Sequence, residues 1–333
     1  MEYKWISHLC FGLNLLLLGI EHLQFIVHLM ALNLPKLDNQ GLMAALCAAV
    51  TWSMAGIFVR SLPGWSPFAV LAGRFLVATA FMLPVLFLTP SVRFGFTRSL
   101  HVSQTWWLSL PAIGGYVLGT TAFQMVPVGE VTLLLTTSPL FVIAYKYFVG
   151  LRINQSEGIG VLLAIVGVSF ILLPQLSAGE VAYWQAMTGY LLALGAAGMV
   201  ALYTLWFSAL TKQGIAPKSI NVVFVTCLLG GVLSLSCAVF FSKLSIKFGI
   251  DGQTILTLIG LGVLSTAFPL LCYTMAAQRL PVVMTTAILL LEPVFATLFA
   301  FVALREIPSL WFYNGSVLVL CGLLLIARKV NSH

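Results

Sequence analysis

Charge is scarce in this sequence: only 8% of its 333 residues are Asp, Glu, Lys or Arg, while 60% are hydrophobic. A water-soluble domain carries about a quarter charged residues, so a soluble globular fold is excluded. Runs of roughly 20 apolar residues recur along almost the whole chain, and each is long enough to cross a ~30 Å hydrocarbon core. We therefore predict an integral membrane protein in which no soluble domain of ordinary composition is left over.

The sequence also lacks the motifs of common enzyme classes. It contains no GxxxxGK[ST], GxSxG or HExxH pattern, and no pair of membrane-embedded aspartates. Its five histidines are scattered and its six cysteines lie singly in apolar stretches, so neither a metal site nor a disulfide framework is indicated. The net charge of +7 sits mostly in loops. We predict a protein that is not an enzyme, has no cofactor or metal and does not bind nucleic acid.

An internal repeat is the most informative feature that is present. The stretch Ala122–Phe141 reappears without a gap at Ala276–Phe295, with eight of twenty positions identical. The identities include two prolines and a glutamine in fixed register, which apolar runs rarely match by chance. The chain therefore looks like a duplicated membrane unit, which is the build of secondary transporters.

The apolar runs from residue 41 onward predict ten transmembrane helices. They cover approximately 41–60, 67–89, 106–126, 130–149, 157–174, 184–211, 218–241, 254–278, 282–304 and 309–328. The first five form one repeat (41–174) and the last five a second repeat (189–328), joined by an outer linker at 175–188. Because five is odd, the second copy enters the membrane from the opposite side. The predicted fold is all-α integral membrane, with two inverted five-helix repeats.

Basic residues agree with this topology. With residue 36 in the cytoplasm, the inner loops and ends hold ten Lys and Arg residues and the outer loops hold four. The positive-inside rule then places both termini, including the tail 329–333, on the cytoplasmic side of the cell inner membrane. Residues 1–40 are predicted to be an N-terminal extension or leader. Within it, 1–29 is compatible with an upstream extension, an interfacial amphipathic segment, a weak extra span or a poor signal sequence.

Two prolines lie deep inside predicted helices. Pro139 is nine residues after Glu130, which places it about 13 Å along the fourth helix, near the midplane. Pro293 occupies the equivalent position in the ninth helix. A proline frees a backbone carbonyl and bends the helix, and freed backbone at that depth must be buried in protein or line a wet cavity. We predict hinges at both prolines, with Thr136 and Ser138 beside a central substrate cavity; a plain kink is the alternative.

Two full charges fall inside predicted spans: Arg74 in the second helix and Glu292 in the ninth. Each costs roughly 2.5–3.5 kcal/mol or more at the bilayer centre, so each must face protein or water. Both are candidates for charge coupling. Arg74 is also compatible with a structural role, and Glu292 with a carboxylic acid that bonds the freed carbonyls.

Aromatic and polar side chains on the repeat-related helices are further candidates for the wall of a cavity, although core or lipid packing accounts for each equally well. They are Trp52, Ser53, Tyr116, Gln124, Tyr203, Trp206, Tyr273 and Gln278. Glycine pairs seven residues apart in the fifth helix (Gly160, Gly167) and the tenth (Gly315, Gly322) predict close helix packing.

The layout resembles the drug/metabolite transporter superfamily, specifically its EamA-type members. The resemblance covers about 41–328 and is carried by LAGRFLVA around Arg74, by AFQMVPVGEVTLLLTTSPLF, and most specifically by AAQRLPVVMTTAILLLEPVFATLFAFVALRE with NGSVLVLCGLLLI. It implies an inner-membrane carrier that moves amino acids, other metabolites or drugs through a central cavity, often outward. One position departs from the family pattern, which usually ends helices four and nine with glutamate: the second copy has Glu306, but the first has Arg152.

We therefore predict a secondary active transporter of small organic metabolites, amino-acid-like or drug-like, that exports by alternating access around a midplane cavity. Its partners would be a small-molecule substrate, the lipid bilayer and a coupling proton or other ion, and a homodimer is left open. A non-transporting membrane sensor or assembly partner is the alternative, and it would need an extra soluble domain or a large exposed loop. An intramembrane enzyme would need a paired catalytic constellation.

Overall fold

The computed structural model describes residues 38–88, 103–150, 152–173, 180–215, 217, 219–241, 251–279 and 288–329. The extension up to residue 37, part of the predicted linker and the tail after residue 329 lie outside the described residues, so what we expect of them stays a prediction. Every element in the described ranges is helical. The all-α prediction is confirmed for this part of the chain.

The described fold consists of α-helices and one π-helical segment. In chain order they are α1 (Asn39–Trp52), α2 (Ala55–Arg60), α3 (Pro67–Leu88), α4 (Ser103–Met125), α5 (Val128–Leu135), α6 (Ser138–Phe148), α7 (Gln155–Leu172), α8 (Glu180–Lys212), α9 (Ser219–Phe241), α10 (Gly252–Ile259), the π segment (Gly260–Ala267), α11 (Phe268–Arg279), α12 (Glu292–Leu304) and α13 (Leu310–Lys329).

Seven helical stretches in the described part are long and apolar enough to cross a membrane. They are Asn39–Arg60, Pro67–Pro84, Val128–Phe148, Gln155–Leu172, Val181–Phe207, Ile220–Phe240 and Gly252–Tyr273. Two shorter apolar helices, Glu292–Leu304 and Leu310–Ile326, follow them. The chain is thus a multi-pass membrane protein.

The starts of several helices have local polar caps. The Asp38 carboxylate accepts from Gln40 N (3.0 Å) at the start of α1, and the Asp251 carboxylate accepts from Thr254 N (2.9 Å) at the start of α10. These side chains satisfy backbone donors that have no partner inside the helix. The pKa of Asp251 lies below its ordinary value because the Thr254 side chain and backbone both hydrogen-bond to the carboxylate.

The fourth predicted helix is broken in its middle, between α5 and α6. Pro139 lies in the first turn of α6, where its missing N–H costs nothing. The hydroxyls of Thr136 and Thr137 donate to the carbonyls of Leu133 (2.7 Å) and Leu134 (2.6 Å). These side chains therefore take over hydrogen bonding that a continuous helix backbone would have supplied.

The ninth predicted helix repeats this arrangement around Pro293. Residues 290–291 form a turn, α12 begins at Glu292, and Pro293 again lies in the first turn. Two further interruptions carry no proline: a turn at residues 53–54 divides the first predicted helix, and the π segment lies within the eighth.

The helices pack mainly in pairs, with one helix of each pair from either half of the chain. The main contacts are α7 with α13, α4 with α8, α3 with α9, α1 with α11, and α5 with α12. Small residues make the closest approaches: a Cβ on Gly167 would lie 2.6 Å from the Gly315 carbonyl oxygen, and one on Gly160 would lie 2.5 Å from that of Gly322. Only glycine allows backbones to approach this closely in lipid.

Candidate functional site

A cavity of about 280 Å³ lies between the two halves of the chain. Its wall includes residues of α1 to α6 from the first half and of α8, α9, α11 and α12 from the second. This volume is at the small end of the range for ligand pockets. The start of α6, with Ser138 and Pro139, and the start of α12, with Glu292, both reach the wall, so both helix breaks border the cavity.

Arg74 is part of this wall and is only 3% exposed. Its Nε donates to Thr266 Oγ1 (2.6 Å) and its Nη2 donates to Ser265 O (2.7 Å), both in the π segment. Its guanidinium carbon lies 4.4 Å from the centroid of the Tyr116 ring, within the range of a cation–π contact. A buried charge is tolerated only when its polar atoms find partners, so these contacts join α3 to the π segment and to α4.

Glu292 is the first residue of α12 and is half-buried in the wall. Within the described residues its carboxylate has no hydrogen bond or ion pair. A negative charge at the first position of a helix is favoured by the partial positive charge of the helix N-terminus. The arrangement therefore presents to the cavity an acidic group that forms no ion pair within the described part of the chain.

Aromatic rings form much of the remaining wall. Trp52 and Tyr273 lie with ring centroids 5.5 Å apart at an interplanar angle of 50°, while Tyr116 and Tyr203 contribute from α4 and α8. Thr120 also belongs to the wall, and its buried hydroxyl oxygen has no hydrogen-bond partner in the described protein. The cavity is thus apolar and aromatic with a few polar groups, as expected of a small-molecule site.

Charged side chains link the two halves of the chain at one end of the helix bundle, the Arg60 end. Arg60 Nη1 lies 3.1 Å from Glu306 Oε1, and Arg60 Nε donates to Phe123 O (2.8 Å). Glu306 Oε2 also accepts from Val128 N (2.9 Å). A second, smaller cavity of about 170 Å³ borders the same end. These contacts connect α2, α4, α5 and the end of α12, which come from both halves of the chain.

The model of a known protein family matches the chain twice, over residues 39–173 and again over residues 187–328. The chain belongs to the EamA-like transporter family. An uncharacterized transporter of Clostridium kluyveri is 22% identical over 277 residues, which are 82% of this chain and 87% of that protein. A solved crystal structure with 20% identity covers 88% of the chain and 99% of its own, with a TM-score of 0.57; this likeness concerns the fold alone.

The predicted resemblance to EamA-type proteins is confirmed by this match, and the protein is a membrane transporter. As in the sequence-based expectation, the family model covers the chain in two successive copies.

In this EamA-like transporter, most of the candidate site residues predicted from the sequence border the cavity. They are Trp52, Arg74, Tyr116, Thr136, Ser138, Pro139, Tyr203, Tyr273 and Glu292. Four others do not belong to the described wall. Ser53 donates to Val50 O (2.6 Å), Gln124 donates to Trp65 O (3.2 Å), Trp206 packs beside Leu108 and Leu210, and Pro293 is buried. The side chain of Gln278 lies outside the described residues.

Sequence reasoning missed one side of the cavity. Val222, Val223 and Thr226 bring α9 into the wall, and Thr120 and Thr204 add hydroxyl-bearing side chains from α4 and α8. The valines give no signal within an apolar run. The threonines were detectable in principle, because a hydroxyl in a membrane span needs a partner or water.

Proposed function

We propose that this transporter is a secondary carrier of small organic metabolites, amino-acid-like or drug-like, and that it exports them by alternating access. The observation that carries the proposal is the cavity between the two halves of the chain, bordered by both helix breaks. Broken helices near the midplane are where secondary carriers build their substrate sites.

We further propose ten membrane spans in two inverted repeats, with both termini in the cytoplasm of the inner membrane. The glycine contacts support this. Gly160 meets Gly322 and Gly167 meets Gly315, so the contact is unchanged when α7 and α13 exchange places. A two-fold rotation axis exchanges two helices in this way. In inverted repeats, this two-fold axis lies in the membrane plane.

Accessibility tagging tests this topology. Reporter tags in the loops after residues 60 and 126 should lie on the periplasmic side, and a tag at the C-terminus in the cytoplasm. A tag after residue 60 on the same face as the C-terminus would contradict the inverted arrangement. The result also decides the orientation of the Arg60 end, which this topology places outside.

Counterflow in proteoliposomes tests transport itself. Vesicles with purified protein and an unlabelled internal cargo should accumulate the labelled cargo faster than empty vesicles do. The panel should include amino acids, aromatic amines and cationic dyes, since the cavity is small and aromatic. Absence of flux across the whole panel, with protein that remains folded after reconstitution, would remove the proposal.

A disulfide across the Arg60 end tests alternating access. A Cβ built on Gly129 lies 3.4 Å from the Cβ of Thr297, close to the Cβ–Cβ distance of about 3.5–4.5 Å in disulfides. We expect Gly129→Cys with Thr297→Cys, in a background without native cysteines, to stop transport after oxidation and to recover it after reduction. The two single variants are the controls. Full transport in the oxidised double variant would show that this end need not open.

Glu292 is the residue we propose for proton or cation coupling, because it is the acidic group of the described cavity wall. Proton-gradient-driven flux should depend on pH in the parent and lose this dependence in Glu292→Gln. An unchanged pH dependence of flux in the variant would end this role.

A further inference from the structure

The cavity contains one acidic side chain and one basic side chain in its described wall, and the basic one already has protein partners. Glu292 has no hydrogen bond or ion pair with the described residues, and it lies at the first position of α12. Arg74, by contrast, already donates to Thr266 and to the Ser265 carbonyl and faces the Tyr116 ring.

The contacts of Arg74 leave little of its guanidinium open to a carboxylate. A guanidinium holds a carboxylate best through two parallel N–H donors on one edge. The edge formed by Nε and Nη2 is occupied, at 2.6 Å by Thr266 Oγ1 and at 2.7 Å by Ser265 O. A ligand carboxylate would be left with the Nη1 end of a residue that is 3% exposed and that already faces the Tyr116 ring.

Several of the first backbone donors at the helix breaks are absent or already used. Pro139 and Pro293 have no N–H, Leu140 N donates to Thr137 O (2.9 Å), and Phe295 N donates to Leu291 O (3.0 Å). These donors are therefore used within the chain. A ligand carboxylate that lost its hydration at this depth would find few free donors, and at the start of α12 it would lie beside the like charge of Glu292.

An ammonium group meets the opposite conditions. Glu292 offers a carboxylate acceptor, and the rings of Trp52, Tyr203 and Tyr273 border the same cavity. Aromatic faces attract organic cations and also accept an aromatic body by stacking. We propose that the preferred cargo is a small primary amine with an aromatic or apolar body, and that the cavity binds it better than the amino acid with the same side chain.

This inference rests on the proposed function, because it assigns the cargo of the same cavity. Three compounds that share an indole ring and a short chain separate the possibilities: tryptamine carries a cation, tryptophan a zwitterion, and indole-3-propionate an anion. Binding of each to the purified full-length protein in nanodiscs is measured by isothermal titration calorimetry at one neutral pH. We expect tryptamine to bind at least about tenfold more tightly than either carboxylate-bearing compound, because indole-3-propionate lacks the ammonium that Glu292 would hold and tryptophan must also bury a carboxylate.

Variants locate the binding. Glu292→Gln keeps the size of the side chain and removes its charge, so tryptamine affinity should fall about tenfold or more, while the weak binding of indole-3-propionate should not fall. Glu130→Gln is the matched control: this carboxyl lies outside the cavity wall and accepts from the Tyr190 hydroxyl (2.5 Å), a bond that glutamine can keep. Gel filtration of each variant in detergent confirms that it is folded.

A second pair of variants tests the aromatic wall without touching charge. Tyr273→Phe keeps the ring and Tyr273→Leu removes it, so Tyr273→Phe should bind tryptamine severalfold more tightly than Tyr273→Leu does. Equal affinities for the two variants would contradict a role for the ring.

Several results would overturn the inference. They are tighter binding of tryptophan than of tryptamine, no measurable tryptamine binding, or loss of tryptamine binding equally in Glu292→Gln and Glu130→Gln. None of these would by itself remove the proposed carrier function, which fails only if counterflow is absent for the whole panel. Transport of tryptophan without binding of tryptamine would retain the carrier and exclude the amine preference.

Discussion

Thr266→Val tests whether the π segment holds Arg74 in the cavity wall. Valine has nearly the shape of threonine but no hydroxyl, so the substitution removes the acceptor of Arg74 Nε at 2.6 Å and the donor to Leu261 O at 2.8 Å. Because Arg74 is 3% exposed, bulk water does not replace the lost acceptor. We expect Thr266→Val to lower the free energy of unfolding and Thr266→Ser, which keeps the hydroxyl, to stay near the parent.

Two ranges bound the size of the effect. Hydrogen bonds to charged groups in soluble proteins contribute about 1.5–3 kcal/mol. Side-chain hydrogen bonds in a membrane protein average about 0.6 kcal/mol and reach about 1.7 kcal/mol, because unfolded segments in lipid find other partners. The bond here is charge-assisted and buried, but the Nη2 bond to Ser265 O at 2.7 Å remains in the variant. We therefore expect a loss of about 1.5 kcal/mol, in the upper part of the membrane range.

A double-mutant cycle isolates the Arg74–Thr266 pair. Arg74→Lys keeps the charge but cannot present Nε and Nη2 together, so Thr266→Val should cost less in the Arg74→Lys background than in the parent. Equilibrium unfolding of all four proteins in bicelles gives the coupling free energy, which we expect to be about 1 kcal/mol. A Thr266→Val cost that agrees within about 0.5 kcal/mol in both backgrounds would refute the reasoning, since independent sites add to that precision.

Three other regions give further tests. Gly167→Ala should destabilise the fold by about 1–3 kcal/mol through overpacking, because its Cβ would lie 2.6 Å from a backbone oxygen of α13. Gly158→Ala on the same helix is the control: its Cβ meets nothing within 4 Å, so the change should be neutral or stabilising. Equal unfolding free energies for the two variants would contradict the close contact. Glu306→Gln should speed labelling of a cavity cysteine by a reagent added on the Arg60 side, because it breaks the ion pair there; an unchanged rate would show that the pair does not limit access. The Arg279 guanidinium holds the pKa of Asp38 below its ordinary value of 3.8, so the stabilisation is present above pH 3.8 and is lost as the pH falls through the lower folded-state value. Asp38→Asn should therefore melt below the parent at neutral pH and approach it in acid, and a difference that persists in acid would exclude this pair as its source.

The sequence allowed the helix breaks with prolines to be predicted, because proline has one mechanical consequence in a helix. Both Pro139 and Pro293 lie where a helix restarts. The turn at residues 53–54 and the π segment were not predictable in the same way. In the π segment the hydroxyl of Thr266 bonds the carbonyl five residues back and also accepts from Arg74, so this geometry depends on a contact between residues 192 positions apart.

The candidate site was predictable where chemistry is unusual for a membrane span. Arg74, Glu292 and the aromatic residues stand out in an apolar run, and the structure places them around one cavity. Trp52 and Ser53 are neighbours in sequence, so they point about 100° apart on a helix and only Trp52 reaches the wall. The rotation of a helix about its axis decides which of two adjacent residues faces the cavity. Because a membrane helix is apolar on all sides, its sequence predicts this rotation only weakly.

The two halves share a backbone plan but differ in chemistry at matching positions. The register of the internal repeat pairs Ser138 with Glu292, and both begin helices that border the cavity. Only the second half therefore brings a charge to the wall at this position. The same register pairs Arg152 with Glu306, so the ion pair at the Arg60 end cannot recur at the equivalent place on the other side.

This asymmetry sets the energetic difference between the two alternating states that we propose. The Arg60–Glu306 pair is partly exposed, with side-chain exposures of 30% and 20%, and pairs of this kind contribute about 0–1 kcal/mol. A difference of about 1 kcal/mol changes a two-state ratio only about fivefold. The pair therefore biases the carrier toward closure at this end without trapping it, so a substrate with slightly different affinities for the two states can reverse the preference.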